Sequence, residues 1–359
     1  MRVEIIIFKA MKSLTIYTCF AILVVITFLS SCQHESETQV STVHPIEIVN
    51  LQLFVDFEQH GLRVPWQIES LPNGKIAVLD NSSNEVLIIG PDGELINSFG
   101  GTGRGPGEFI RPNALQKSDN YMYVIDSDLL RINQFSLSGE FVQSYNIDTR
   151  QGVTVKDELT YFDRAMGKEG SLIKKINKEE NSTYFIGEAM GEEDQHRDLD
   201  REKNVLSRGE IPNSFKNTIT MYYSDPHLYV FLDAFSRLQK YTKDGDLVWD
   251  QSIELPENEI IFNEVVERAK KPGPPGAVPV YRYITSMKVI EGHTYLFWVP
   301  VEKHPRKLVK VDSDGNLDSI YHIPEEVPTF SDFSIDTEND LLYLIAPELG
   351  QIYRTNYPV

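Results

Sequence analysis

From Val64 onward, apolar and polar residues alternate in short runs broken by glycine turns. "KIAVLD" (75–80) leads into "EVLIIGPDGELINSFG" (85–100), and "YMYVID" (121–126) into "RINQFSLSGEFVQSY" (131–145). A period of two over five or six residues predicts half-buried strands. The turns "PDGE", "LSGE", "KDGD" and "SDGN" align with glycine at 93, 139, 245 and 315. Glycine supplies the positive φ that a tight strand-to-strand turn requires, so each predicts a hairpin. The long gap between Gly139 and Gly245 has room for one more degenerate copy, at 158–187 with Lys178–Asn181 as its turn, and for an insertion.

Six such units start near Val64, Pro112, Val153, Phe215, Tyr281 and Pro328. A repeat of roughly 40 to 50 residues with four short strands predicts an all-β, six-bladed propeller over 45–359. The sixth unit runs out of chain after about three strands. The missing one is available at the other end, in "HPIEIVNLQLFVDF" (44–57). It would close the ring without leaving open sheet edges. Two insertions interrupt the repeat. Residues 187–214 are charged and without apolar periodicity, and predict a solvated loop with room for a helical turn. Residues 257–279 place Ile260, Ile261, Val265 and Ala269 near helical spacing before Pro272. They predict a short amphipathic helix between blades four and five, then a proline-glycine loop.

The stretch "FGGTGRGPGEFIRP" (99–112) holds five glycines and raises the question of a phosphate loop. No G-x-G-x-x-G or G-K-[ST] frame fits, and Pro106 and Pro112 oppose the helix such a loop needs. Across 100–145, Phe109, Pro112, Asp126, Arg131, Ile132 and Gly139 match the pattern of an NHL repeat. Residues 100–145 therefore resemble one, and the glycines read as the linker between two blades.

The first residues assign the compartment. Lys12 precedes an apolar run from Leu14 to Leu29. That run is too short for a comfortable membrane span of about 20 residues and suits a signal peptide. Leu29-Ser30-Ser31-Cys32 resembles the lipobox of bacterial lipoproteins, which implies cleavage after residue 31 and lipidation of Cys32. The predicted order is a signal peptide at 1–31 (with Met11 as an alternative start), then Cys32 and a flexible tether to residue 44. Cys19 lies inside the signal, so the mature chain retains no thiol for a disulfide or a cysteine metal site. The whole chain carries −19. Residues 1–31 hold Arg2, Lys9 and Lys12 against Glu4, so the mature chain carries −21. That charge disfavours nucleic acid and anionic membrane surfaces. Lipobox, acidity and repeats together resemble the six-bladed, NHL-repeat-like propeller lipoproteins of Bacteroidota-type bacteria. The resemblance implies an outer-membrane lipoprotein on the periplasmic or cell-surface side.

No residues announce catalysis. Among eight histidines there is no HxH or HExxH spacing, and no G-x-S-x-G elbow occurs. Asp312, Asp314, Asn316 and Asp318 alternate as in a calcium loop, but the glycine is at the fourth position and Ile323 at the twelfth, so a hairpin turn is expected. No cofactor is predicted, with axial calcium as the exception to test. Six-bladed relatives in the broad sense include gluconolactonase-type hydrolases, streptogramin-lyase-type enzymes and amidating lyases, which implies an alternative: a metal-dependent lyase or hydrolase using the axial funnel. At the blade entries only Glu69, Asn113, Asn217 and Asp332 offer oxygen for it. The entries also carry Arg63, Arg111, Lys216 and Arg282, beside Trp66, Asn113 and Tyr283. On so acidic a chain, these seven residues predict a basic, aromatic ring at one funnel mouth. It would suit an anionic or carbohydrate-like ligand, or a protein partner, of a binding module.

Overall fold

The computed structural model describes residues 43–57, 64–148, 152–157, 160–193, 198–274, 276–324 and 328–358. The signal peptide, Cys32 and most of the tether lie outside them, as does Arg63. Six sheets follow one another along the chain, and each runs outward from the axis as consecutive antiparallel strands. Their innermost strands are Pro65–Leu71, Pro112–Lys117, Thr154–Val155, Ile219–Ser224, Ile284–Ile290 and Asp332–Asp336. This is a six-bladed β-propeller. The middle strands of each blade are buried on both faces, as in Lys75–Asp80 and Leu341–Ala346, and blades pack through these faces.

The predicted turn glycines take φ of 87°, 91°, 103° and 92° at 93, 139, 245 and 315. They do more than turn the chain. A Cβ on Gly139 would lie 2.5 Å from the Phe99 ring on the outer strand of the preceding blade, and one on Gly245 2.9 Å from Ile186. The turn of one blade thus seats against the outer strand of the blade before it.

Closure is as the strand count requires. Gln52–Asp56 pairs antiparallel with Gln351–Asn356 and completes the sixth blade. Just upstream, Ile46–Glu47 pairs parallel with Tyr321 and His322, so the fifth blade has five strands. The alternation along the chain does not predict that second pairing, because two residues are too few for a periodicity. The insertion helix spans Glu257–Lys270 and buries Ile261, Val265, Val266 and Ala269. The 187–214 segment corrects the expectation of a loop. It contains a nine-residue helix, Leu199–Ser207, started by Asp198 accepting from the Arg201 N–H and packed on the Glu257–Lys270 helix, with Leu206 fully buried.

The linker 100–112 is held by residues of the repeat pattern. The Asp126 carboxylate is fully buried and accepts from the N–H groups of Ile110 (2.6 Å), Asp128 (3.0 Å) and Leu129 (2.9 Å). The Arg131 guanidinium donates to the carbonyls of Arg104, Gly105 and Glu108. Phe109 is fully buried with its ring against Gly100, where φ is 103° and a Cβ would clash. The motif that suggested a nucleotide loop is a structural clasp.

Candidate functional site

Six inner strands splay around an axis, and their backbone groups must be satisfied there without forming one continuous sheet. Side chains do it, seam by seam. Gln67 Oε1 accepts from Leu115 N–H (2.6 Å), and Gln116 accepts from Val155 N–H (2.8 Å) while donating to the Val155 carbonyl (2.9 Å). Thr154 Oγ1 accepts from Tyr223 N–H (2.9 Å), and Asp332 and Ser334 accept from Ile68 and Ser70 N–H (3.0 and 2.8 Å). Ser286 donates to Asp332, and Tyr281 donates to the Ala234 carbonyl (3.1 Å).

Two cavities open on this axis, one at each mouth, and residues from all six blades line both. The upper, at the start of the inner strands, has a volume of about 430 Å³, and the lower about 360 Å³. Glu69, Gln116 and Tyr222 line both and form the waist between them.

The waist is ionic. Lys288 Nζ donates to Glu69 Oε1 (2.7 Å) and to the Ile68 carbonyl (2.7 Å), and lies 3.6 Å from Asp332 Oδ2. All three charged side chains are at least 94% buried. Burial pulls the ammonium down, but Asp332 and Glu69 outweigh it and hold its pKa above the usual lysine value. Burial pushes Glu69 up, and Lys288 only partly offsets that. Burial, then the charges of Glu69 and Asp332, raise the Tyr222 phenol well above its ordinary range. Two carboxylates against one ammonium leave the waist one charge negative when all are ionised, and the Asp332 charge adds to the burial that raises Glu69.

The upper mouth differs in character. Of the residues singled out in the sequence, Trp66 (43% exposed), Asn113 and Arg282 line it, and Arg164 joins them. Thr154, Thr220, Thr285 and Thr329 also line it, the first three with hydroxyls that donate inward to Gln116, Asp233 and the Phe297 carbonyl. The Arg164 Nε is buried without a hydrogen-bond partner among the described residues. Behind the rim, Asp233 is buried and accepts from the Thr220 hydroxyl (2.9 Å). Burial pushes its pKa up to about 6, with Arg164, Thr220 and Arg282 opposing.

The predicted four-cation ring is not assembled among the described residues. Arg111 points away from the cavity lining, 71% exposed and 3.7 Å from Asp128. Lys216 ends the short helix Asn213–Lys216 and packs at Gly191, away from the mouth. Tyr283 is buried in the seam between blades four and five, stacked on Trp298 and bonded to the Tyr281 hydroxyl. The strand-entry position puts a residue at the top of a blade, but its side chain can run outward or into the seam as easily as to the axis. Arg164 is not a blade entry: it ends a second strand, whose last residue also returns to the upper face. Asn217, offered as an oxygen ligand, instead clamps Met190 and Gly191 N–H with its carbonyl oxygen. Asp312 accepts from Asp314 and Asn316 N–H and caps its own hairpin turn. Among the described residues no group of three or more His, Cys, Asp or Glu side chains is arranged to hold a metal.

Six sheets around a shared axis, lined by every inner strand, decide the class. Residues 61–236 match the model of a family described as 6-bladed beta-propeller. No curated protein matches the sequence. Among solved structures the chain is similar to a streptogramin B lyase, with 13% identity and a TM-score of 0.46 over 85% of this chain and 96% of that one. A catalytically inactive virginiamycin B lyase from Staphylococcus aureus with quinupristin gives 10% and 0.48, over 85% and 98%. A protein from Bacteroides fragilis described as exported gives 12% and 0.48, over 85% and 94%. These likenesses are too distant to transfer any residue's role to this propeller.

Proposed function

We propose that this protein is an exported, lipid-anchored propeller that binds an anionic, carbohydrate-like ligand in its upper mouth. One observation carries the reading: Trp66, Arg164 and Arg282, from three different blades, line one cavity of about 430 Å³. An exposed indole offers a flat apolar face to a sugar ring, and guanidinium groups pair with a carboxylate or sulfate in forked geometry. The apolar run before Cys32 supports export and lipidation, with the propeller outside the cytoplasm. No helix among the described residues is long and apolar enough to cross a membrane.

The alternative is a lyase or hydrolase working from the same funnel. It is favoured by the floor, where Glu69 and Tyr222, both raised chiefly by burial, cluster with Asp332, a feature found more often at reactive sites than elsewhere.

Titrating the protein with oligogalacturonate and with a neutral oligosaccharide of equal length, while following tryptophan fluorescence, tests the binding claim. Only the acidic ligand should change the emission, and Trp66→Phe should abolish the change. Equal responses to both ligands would sink the acidic preference, and shortened or unsaturated products would favour the enzyme. Fatty-acid labelling that is retained in Cys32→Ser would remove the anchor.

A further inference from the structure

We propose that the Lys288 ammonium is the propeller's built-in axial cation, filling a cage of Ile68 carbonyl, Glu69 and Asp332 that is otherwise suited to a divalent metal ion. The inference concerns the waist and does not rest on the ligand reading of the upper mouth.

The geometry is that of a cation site. Oxygens of blades one and six converge on a single positive atom: a backbone carbonyl and a carboxylate at 2.7 Å and a second carboxylate at 3.6 Å. The amine arrives from blade five, so one side chain ties three blades together. Asp332 is itself aimed by Ile68 N–H at 3.0 Å and by the Ser286 hydroxyl, so its direction does not depend on the lysine. Hard divalent cations such as calcium take just such carboxylate and carbonyl oxygens, at about 2.3–2.6 Å, with waters filling the remaining positions. The cavities on either side of the waist provide room for those waters. With Lys288 present, an incoming cation meets an ammonium already in the cage. With it removed, two carboxylates face each other in a buried place, which is unfavourable until something positive enters.

A structural strut and a built-in cation make different predictions. Wild type should show no calcium-dependent change in melting and no calcium heat by calorimetry. Lys288→Ala should melt at least about 5 °C lower without calcium, as expected for breaking a buried pair. Millimolar calcium should restore most of that loss with one ion bound per chain, and Glu69→Gln added to Lys288→Ala should abolish the rescue. Lys288→Met, which keeps the packing of the stem, is the second variant, and recovery in either supports the proposal. It is overturned if neither variant responds to calcium, including the case in which neither folds with or without it. Stoichiometric calcium binding by wild type that is lost in Glu69→Gln would overturn it as well.

Discussion

Asp233 shows how one residue couples stability to the mouth. Its carboxyl is buried behind Arg164 and Arg282 and has a pKa of about 6, above the ordinary aspartate value of 3.8. The folded state therefore binds this proton more tightly than the unfolded chain. Stability from this group is fully present below the unfolded value of 3.8 and is lost as pH rises through about 6. A displacement of that size corresponds to about 3 kcal/mol. Asp233→Asn, which cannot ionise, is expected to gain stability over wild type by up to that amount at pH 8, with the gap closing toward pH 4. Urea unfolding at the two pH values checks it, and a gap independent of pH would assign Asp233 a different role. The motif residues behave otherwise. Asp126, Arg131 and Phe109 were legible as a pattern, yet only the folded chain shows that they clasp the linker, since their partners are backbone groups that leave no trace in composition.

At the scale of elements, the closing strands carry much of the architecture. Val55 and Phe57 are buried, Phe54 lies under the Arg354 guanidinium at 4.2 Å, and the Phe54 carbonyl oxygen lies where a Cβ on Gly93 would press. Ile48 reaches the core shared by blades five and six. Deleting 45–57 would strip the outer strand from blade six and the added strand from blade five, exposing both edges. The truncated protein should aggregate on purification or melt at least about 10 °C lower, given several kcal/mol of lost apolar burial. Melting within about 2 °C of the intact protein, a loss of under about 1 kcal/mol, would contradict closure by this segment. The strand was readable because the last unit was one strand short and the first residues alternated. The Leu199–Ser207 helix was not, because it buries one strip, Leu206 chief among it, against another insertion rather than against the repeat.

For the whole molecule, the repeat made the ring legible and its symmetry hid the site. Sequence treats the six blade entries as equivalent, and four of them offered a cation; the structure breaks that equivalence. Arg282 reaches the upper mouth, Arg111 stays outside, and Arg164 enters from the end of a second strand rather than from a blade entry. Lys288 did carry a readable signal, a lone charge within "ITSMKVI", whose Ile284, Met287 and Val289 are buried core. Its partners Glu69 and Asp332 lie more than two hundred and some forty residues away along the chain, and only ring closure brings them together.

The central claim is that the upper mouth holds an anion through two arginines contributed by different blades. Calorimetric titration of oligogalacturonate into wild type and into the Arg164→Gln, Arg282→Gln double variant tests it most directly. Charge-assisted hydrogen bonds at about 1.5–3 kcal/mol each predict an affinity loss of at least about 100-fold in a double variant that remains folded. Some loss of melting temperature is expected, because both arginines offset the buried Asp233 carboxylate. An affinity equal to that of wild type in the folded double variant would contradict the account.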